Sequence, residues 1–105
     1  MKLMTKTLEK QLPKFGTIAE IEDPEIVAHF FNPCGAGDWY VMEGEKRSDG
    51  NFIFYGYVKS MIDPMFDECG TFTLFELEQL ELPFGLSIER DIYWQKQTLK
   101  EVMGE

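Results

Sequence analysis

Apolar and aromatic positions along this chain follow two periods. Met4, Leu8, Leu12 and Phe15 recur at intervals of four, four and three, and Lys2, Lys6, Lys10 and Lys14 recur every fourth residue on the other side. That spacing predicts an amphipathic helix from Thr5 to Leu12, ended by Pro13, which disfavours helical geometry in the residue before it. From Trp39 to Glu43 and from Phe52 to Val58 the period is two. Both stretches are rich in β-branched and aromatic residues and flank a Ser48-Asp49-Gly50-Asn51 turn signal, so they predict an antiparallel hairpin with a loose loop. In the second strand both alternations are apolar: Phe52, Phe54 and Val58 on one side, Ile53, Tyr55 and Tyr57 on the other. Such a strand belongs in the middle of a sheet, with one face on the helices and the other partly covered. Gly56 inside it marks a bulge or a close approach of neighbouring backbone.

The remaining segments are shorter. Residues 15–25 hold Glu20, Glu22, Asp23 and Glu25 with Gly16 and Pro24, which predicts an acidic connecting loop with a short strand at residues 17–19. Ile26 to Phe31 reads as a strand bounded by Asn32-Pro33, and residues 34–38 as a flexible loop. A second acidic loop, residues 61–68, leads to a short strand at residues 71–73. Thr73 and Glu76 then have the spacing of a capping box, and Leu74, Leu77 and Leu80 continue as a helix. After a Pro/Gly turn from Leu82 to Arg90, Ile92 to Trp94 predicts a strand, and Thr98 with Glu101 repeats the capping box before a last short helix. Together these elements predict an α+β fold in one domain spanning residues 1–105. Its small antiparallel sheet has three to five strands, with the N-terminal amphipathic helix and one or two short helices packed at one face or end.

Charge changes the picture of partners. The chain carries a net charge of −9, with +3 on residues 1–14 and −12 on the rest. An acidic body opposes phosphate-backbone binding, which draws its affinity from Lys and Arg, so no direct nucleic-acid partner is expected. Met1-Lys2-Leu3-Met4 runs into charged residues without an apolar leader, and no apolar run is long enough to span a bilayer. Cys34 and Cys69 are too few for a disulfide framework. These features predict a cytoplasmic protein with reduced thiols and no membrane partner.

Candidate chemistry is sparse. His29, Cys34 and Cys69 invite a nucleophile or a metal site, but there is one histidine and no Cys-x-x-Cys spacing, so no metal or cofactor is expected. A thiol enzyme would need Cys34 beside His29 as its base. Glu76 with Glu89 or Asp91 could serve as acid and base, although Glu89-Arg90-Asp91 is read more simply as a local ion-pair cluster pinning the turn. Gly85 is expected at positive φ. Gly35-Ala36-Gly37 lacks the lysine and the strand–helix setting of a phosphate loop. Phe52, Phe54, Tyr55 and Tyr57 resemble a base-stacking platform, yet only Lys46, Arg47 and Lys59 could supply its cationic rim; core and half-covered sheet is the preferred reading. No catalytic, cofactor-binding or metal-ligating residue is therefore assigned.

Six segments carry a resemblance when taken in order: Leu3-Met4-Thr5-Lys6-Thr7-Leu8, His29-Phe30-Phe31-Asn32-Pro33, Asp38-Trp39-Tyr40, Phe54-Tyr55-Gly56-Tyr57-Val58, Thr73-Leu74-Phe75-Glu76-Leu77-Glu78, and the run from Pro83 to Trp94. The chain resembles the domain-of-unknown-function 2958 family of small bacterial proteins. That resemblance implies a cytoplasmic protein often carried on plasmids and other mobile elements, and it brings no activity or catalytic residue. The leading functional expectation is a non-enzymatic module that recognises another protein. The alternative is an acidic nucleic-acid mimic that inhibits a DNA- or RNA-binding protein, and the third reading is a small enzyme using Cys34 and His29.

Overall fold

The computed structural model describes residues 1–104. Its strands are β1 (Glu25–Ile26), β2 (Ala28–Phe31), β3 (Asp38–Lys46), β4 (Phe52–Lys59), β5 (Glu68–Thr73), β6 (Glu89–Arg90) and β7 (Gln97–Thr98); its helices are α1 (Lys6–Gln11), α2 (Leu74–Gln79) and α3 (Leu99–Met103). Five strands form one antiparallel sheet in the order β5-β4-β3-β2-β6, and β1 pairs separately with β7. The α+β class and the antiparallel sheet follow the expectation, at its upper limit of five strands.

The predicted hairpin is the centre of the sheet. β3 and β4 pair from Asp38↔Lys59 to Lys46↔Phe52, and Gly56 has no room for a side chain because a Cβ there would strike the Tyr40 carbonyl. The register slips by one residue between Val41 and Glu43. This β-bulge turns two successive side chains, Met42 and Glu43, to the same face, since Glu43 stands opposite Tyr55 while Val41 stands opposite Gly56.

Both faces are covered, as the doubly apolar β4 requires. On one face Phe30, Trp39, Val41, Phe52, Phe54 and Phe72 pack against Leu3, Met4 and Leu8 from the N-terminal segment and Leu74 and Leu77 from α2. On the other, Ile26, Tyr40, Met42 and Tyr57 form a second cluster, with Ile18, Tyr55, Trp94, Leu99 and Val102 against it. Helices therefore serve both faces, not one: α3 supplies Leu99 and Val102 to the second.

Four local readings change. The amphipathic helix shrinks to the six residues of α1, whose only buried side chain is Leu8. Thr5 caps it by accepting a hydrogen bond from Leu8 N at 3.1 Å. Pro13 stops it as expected, and Phe15 lies in the turns beyond it and not on the stripe of Met4 and Leu8. The strand expected at residues 17–19 is a chain of tight turns, in which Thr17, Ala19 and Ile21 donate to carbonyls three residues back. The strand expected at Ile92 to Trp94 is displaced to β6. Asp91 ends it by accepting from Tyr93 N at 3.0 Å in a side-chain turn, which throws Ile92 and Tyr93 into solvent. Finally, Ile26 to Phe31 divides into β1 and β2, with Val27 between them donating to the Val41 carbonyl. The helical reading of α2 holds: Leu74 and Leu77 are buried, while Phe75 is exposed.

Candidate functional site

His29, on β2, is held on all sides. Its Nε2 lies 2.7 Å from an Asp38 oxygen and its Nδ1 3.2 Å from an Asp91 oxygen. The ring stacks on Tyr40 at 4.5 Å, with Trp94 tilted against it at 5.4 Å. Burial, together with the charges of Asp38 and Asp91 and the phenol of Tyr57, pushes Tyr40 up to about 12.

Cys34 lies elsewhere, in the exposed β2–β3 loop, with its thiol 3.8 Å from the Pro83 carbonyl. Since both nitrogens of His29 face carboxylates, the two do not form a nucleophile–base pair. Cys69, on the edge strand β5, has its thiol pushed up by burial, against a lowering hydrogen bond from Tyr55. Among the described residues no group of three or more His, Cys, Asp or Glu side chains is arranged to hold a metal ion. The Glu89-Arg90-Asp91 cluster is also different from its sequence reading. Arg90 donates through one guanidinium nitrogen to the Lys2 and Leu3 carbonyls, both at 3.0 Å, and so clamps the N-terminal segment, while Asp91 turns to His29. Arg90 and Asp91 line a shallow groove of about 270 Å³ beside α1, but these bonds already occupy them.

The least satisfied surface is an end of the sheet. The registers Phe31↔Glu89, Asp38↔Lys59 and Val58↔Glu68 bring the β2–β3 loop, the β4–β5 loop and the turn before β6 to the same end. They touch there: the Cys34 thiol meets Pro83, and Met61 fills the space beside Gly37. The β4–β5 loop is rigidly built, because Ser60 N donates to Asp67 at 2.7 Å and Met65 N to Asp63 at 2.9 Å. Its side chains nonetheless point outward, with Ile62 at 87%, Met65 at 79% and Phe66 at 58% exposure.

Across from them, Pro83 to Leu86 turns tightly, with Leu86 N donating to the Pro83 carbonyl at 3.3 Å. Phe84 and Gly85, at φ 63° and 71°, both take left-handed backbone, the pattern of a type I′ turn. Positive φ was expected at Gly85. Phe84 shares it, is 97% exposed, and is the one non-glycine residue at positive φ among the described residues. A bulky residue there is strained. The sequence signal for this surface was the unbroken Met61-Ile62 and Met65-Phe66 pairs inside an acidic loop.

The model of a family described as protein of unknown function (DUF2958) matches residues 3–102. The chain belongs to that family. No curated protein and no solved structure matches it. The DUF2958 match spans every element that builds the loop end, from β2 to the Phe84 turn, and also Arg90 with Leu3, one of the two residues it clamps. Among the described residues no helix is long and apolar enough to cross a membrane.

Proposed function

We propose that this protein is a non-enzymatic interaction module that docks another protein on the apolar loop end. The observation that carries the reading is Phe84: a left-handed turn presents it at 97% exposure at the same end of the sheet that exposes Ile62 and Met65. Strained backbone and exposed aromatics persist where a contact uses them. Asp63, Asp67 and Glu68 accompany these apolar residues in the β4–β5 segment, against Lys59 alone before it, so the partner it suits presents apolar side chains next to lysine or arginine. The mobile-element setting implied by the family resemblance fits a partner belonging to the host cell.

The test compares capture from the native host's lysate on immobilised full-length protein and on an Ile62→Asp/Phe84→Asp variant, read by mass spectrometry. Phe75→Asp, on the exposed side of α2, is the control. A partner held by the wild type and the control but lost from the double variant supports the reading. Equal capture by all three overturns it. A partner that ignores the loop-end variant and is released by added DNA or RNA points instead to nucleic-acid mimicry, which rests on the acidic body.

A further inference from the structure

The bulge in β3 has a second effect, away from the loop end. By turning Glu43 to the face of Tyr55, it aims a carboxylate into a cavity of about 460 Å³ between the sheet and the turns of residues 15–22. Glu43 is only 6% exposed. Among the described residues its carboxylate takes one hydrogen bond, a long one of 3.4 Å from Ile18 N to Oε2. No fully enclosed side-chain polar atom among them lacks a partner, so Oε1, which accepts no bond, keeps accessible surface on a residue that lines the cavity. Buried carboxylates otherwise have their acceptor sites filled.

The walls define what would fill it. Phe15, Ile18, Ile21, Met42 and Leu99 supply apolar surface, and no Lys, Arg or His lines the cavity. Burial pushes the Tyr55 phenol and the Cys69 thiol upward, so both are neutral near pH 7. Glu22 at the rim is the other acid, and its carboxylate is 3.5 Å from the Lys100 ammonium. A divalent cation would need several oxygen ligands, and Glu43 with a rim Glu22 already paired to Lys100 does not provide them. An organic cation needs one anion and a dry wall for its body. The volume is within the range of small-molecule sites.

We propose that this cavity binds a small amphiphilic amine, its ammonium on Glu43 and its apolar body against Ile18, Met42 and Leu99. The site is independent of the loop end, and either reading can fail without the other.

The test is a titration of ¹⁵N-labelled full-length protein with hexylamine, hexanol and hexanoate. Hexylamine is expected to shift the amides of Ile18, Met42, Tyr55 and Leu99 saturably. Hexanol should bind about tenfold more weakly or worse, since a charge-assisted hydrogen bond is roughly twice as strong as a neutral one. Hexanoate should not bind. Glu43→Gln should reduce hexylamine affinity by at least about tenfold, the loss of one charged hydrogen bond. Thr71→Phe fills the cavity from β5 with Glu43 intact and should abolish binding, which keeps the test decisive if Glu43→Gln fails to fold. Equal binding of hexanol and hexylamine overturns the proposal. So does unchanged affinity in either folded variant, or an absence of saturable shifts at this face. Tighter binding of an N-acetyl-lysine methylamide than of hexylamine also overturns it, because the cavity would then receive a partner's side chain.

Discussion

Phe54 is the position where the central strand and the larger core meet, and Phe54→Ala tests both. Its side chain is wholly buried, with the Phe30, Phe52 and Phe72 rings at 5.7, 6.1 and 5.5 Å. Removing the ring forfeits its transfer free energy and leaves a void walled by three aromatic rings that cannot readily collapse, at a cost of about 3–5 kcal/mol. A domain of this length has roughly 5–15 kcal/mol of stability in all. The variant should therefore keep its fold but lose a large share of its margin. With a urea slope of about 1.5 kcal/mol/M, the midpoint should fall by about 2–3 M. The assay is urea unfolding followed by far-ultraviolet circular dichroism and by tryptophan fluorescence, with Phe75→Ala on the exposed side of α2 as control. A midpoint shift no larger than the control's, at unchanged slope, would refute the assignment of Phe54 to a packed interior.

Three further outcomes follow from particular contacts. Folding raises the Tyr40 phenol from 10.0 to about 12, so its contribution to stability is complete below pH 10 and is lost as pH rises toward 12; Tyr40→Phe should flatten that part of the alkaline stability profile, and an unchanged profile would contradict it. Thr73→Ala and Thr98→Ala should each cost about 0.5–2 kcal/mol through lost helix caps, seen as lowered unfolding midpoints and faster amide exchange at Glu76 and Glu101 respectively. Cys34 and Cys69 are both free thiols, so reductant should leave the melting temperature unaltered; a fall on reduction would mean that a disulfide forms.

Elements whose pattern repeats several times were legible from sequence. β3 and β4 repeat an alternation over enough residues to fix pairing and faces, and the complete capping box at Thr98 and Glu101 follows from local spacing alone. At Thr73 only half the box forms: the hydroxyl accepts from Glu76 N, while the helix start is also tied down by buried Asn51, whose side-chain oxygen accepts from Phe75 N at 3.0 Å. Nothing local announces a bond spanning that distance. β1, β6 and β7 are two residues each, too short for any period, and they exist through long-range bonds such as Asp91 N to the His29 carbonyl and Leu99 N to the Pro24 carbonyl. The helix expected from Thr5 to Leu12 forms only over Lys6–Gln11, with those two residues as its caps, and Phe15, assigned to its stripe by spacing alone, lies past Pro13 where the chain has turned away.

Glu43 and Phe84 share a logic that separates them from those long-range surprises. Strict alternation from Trp39 would place Glu43 beside Trp39 and Val41, inside a cluster that is otherwise apolar. A carboxylate cannot be buried there without a partner at tolerable cost, so the chain must either expose it or change register. It changes register, and the extra residue delivers the acid to a cavity with an open acceptor. At Phe84 the conflict is between side chain and backbone, because a type I′ turn favours glycine or asparagine where an exposed phenylalanine stands. In each case the neighbouring structure supports the exception: Gly56 lets the strands close beside the bulge, and Gly85 takes the second left-handed position of the turn. Folding alone would favour a different residue at both positions, and that is the physical reason to look for a ligand at one and a partner at the other.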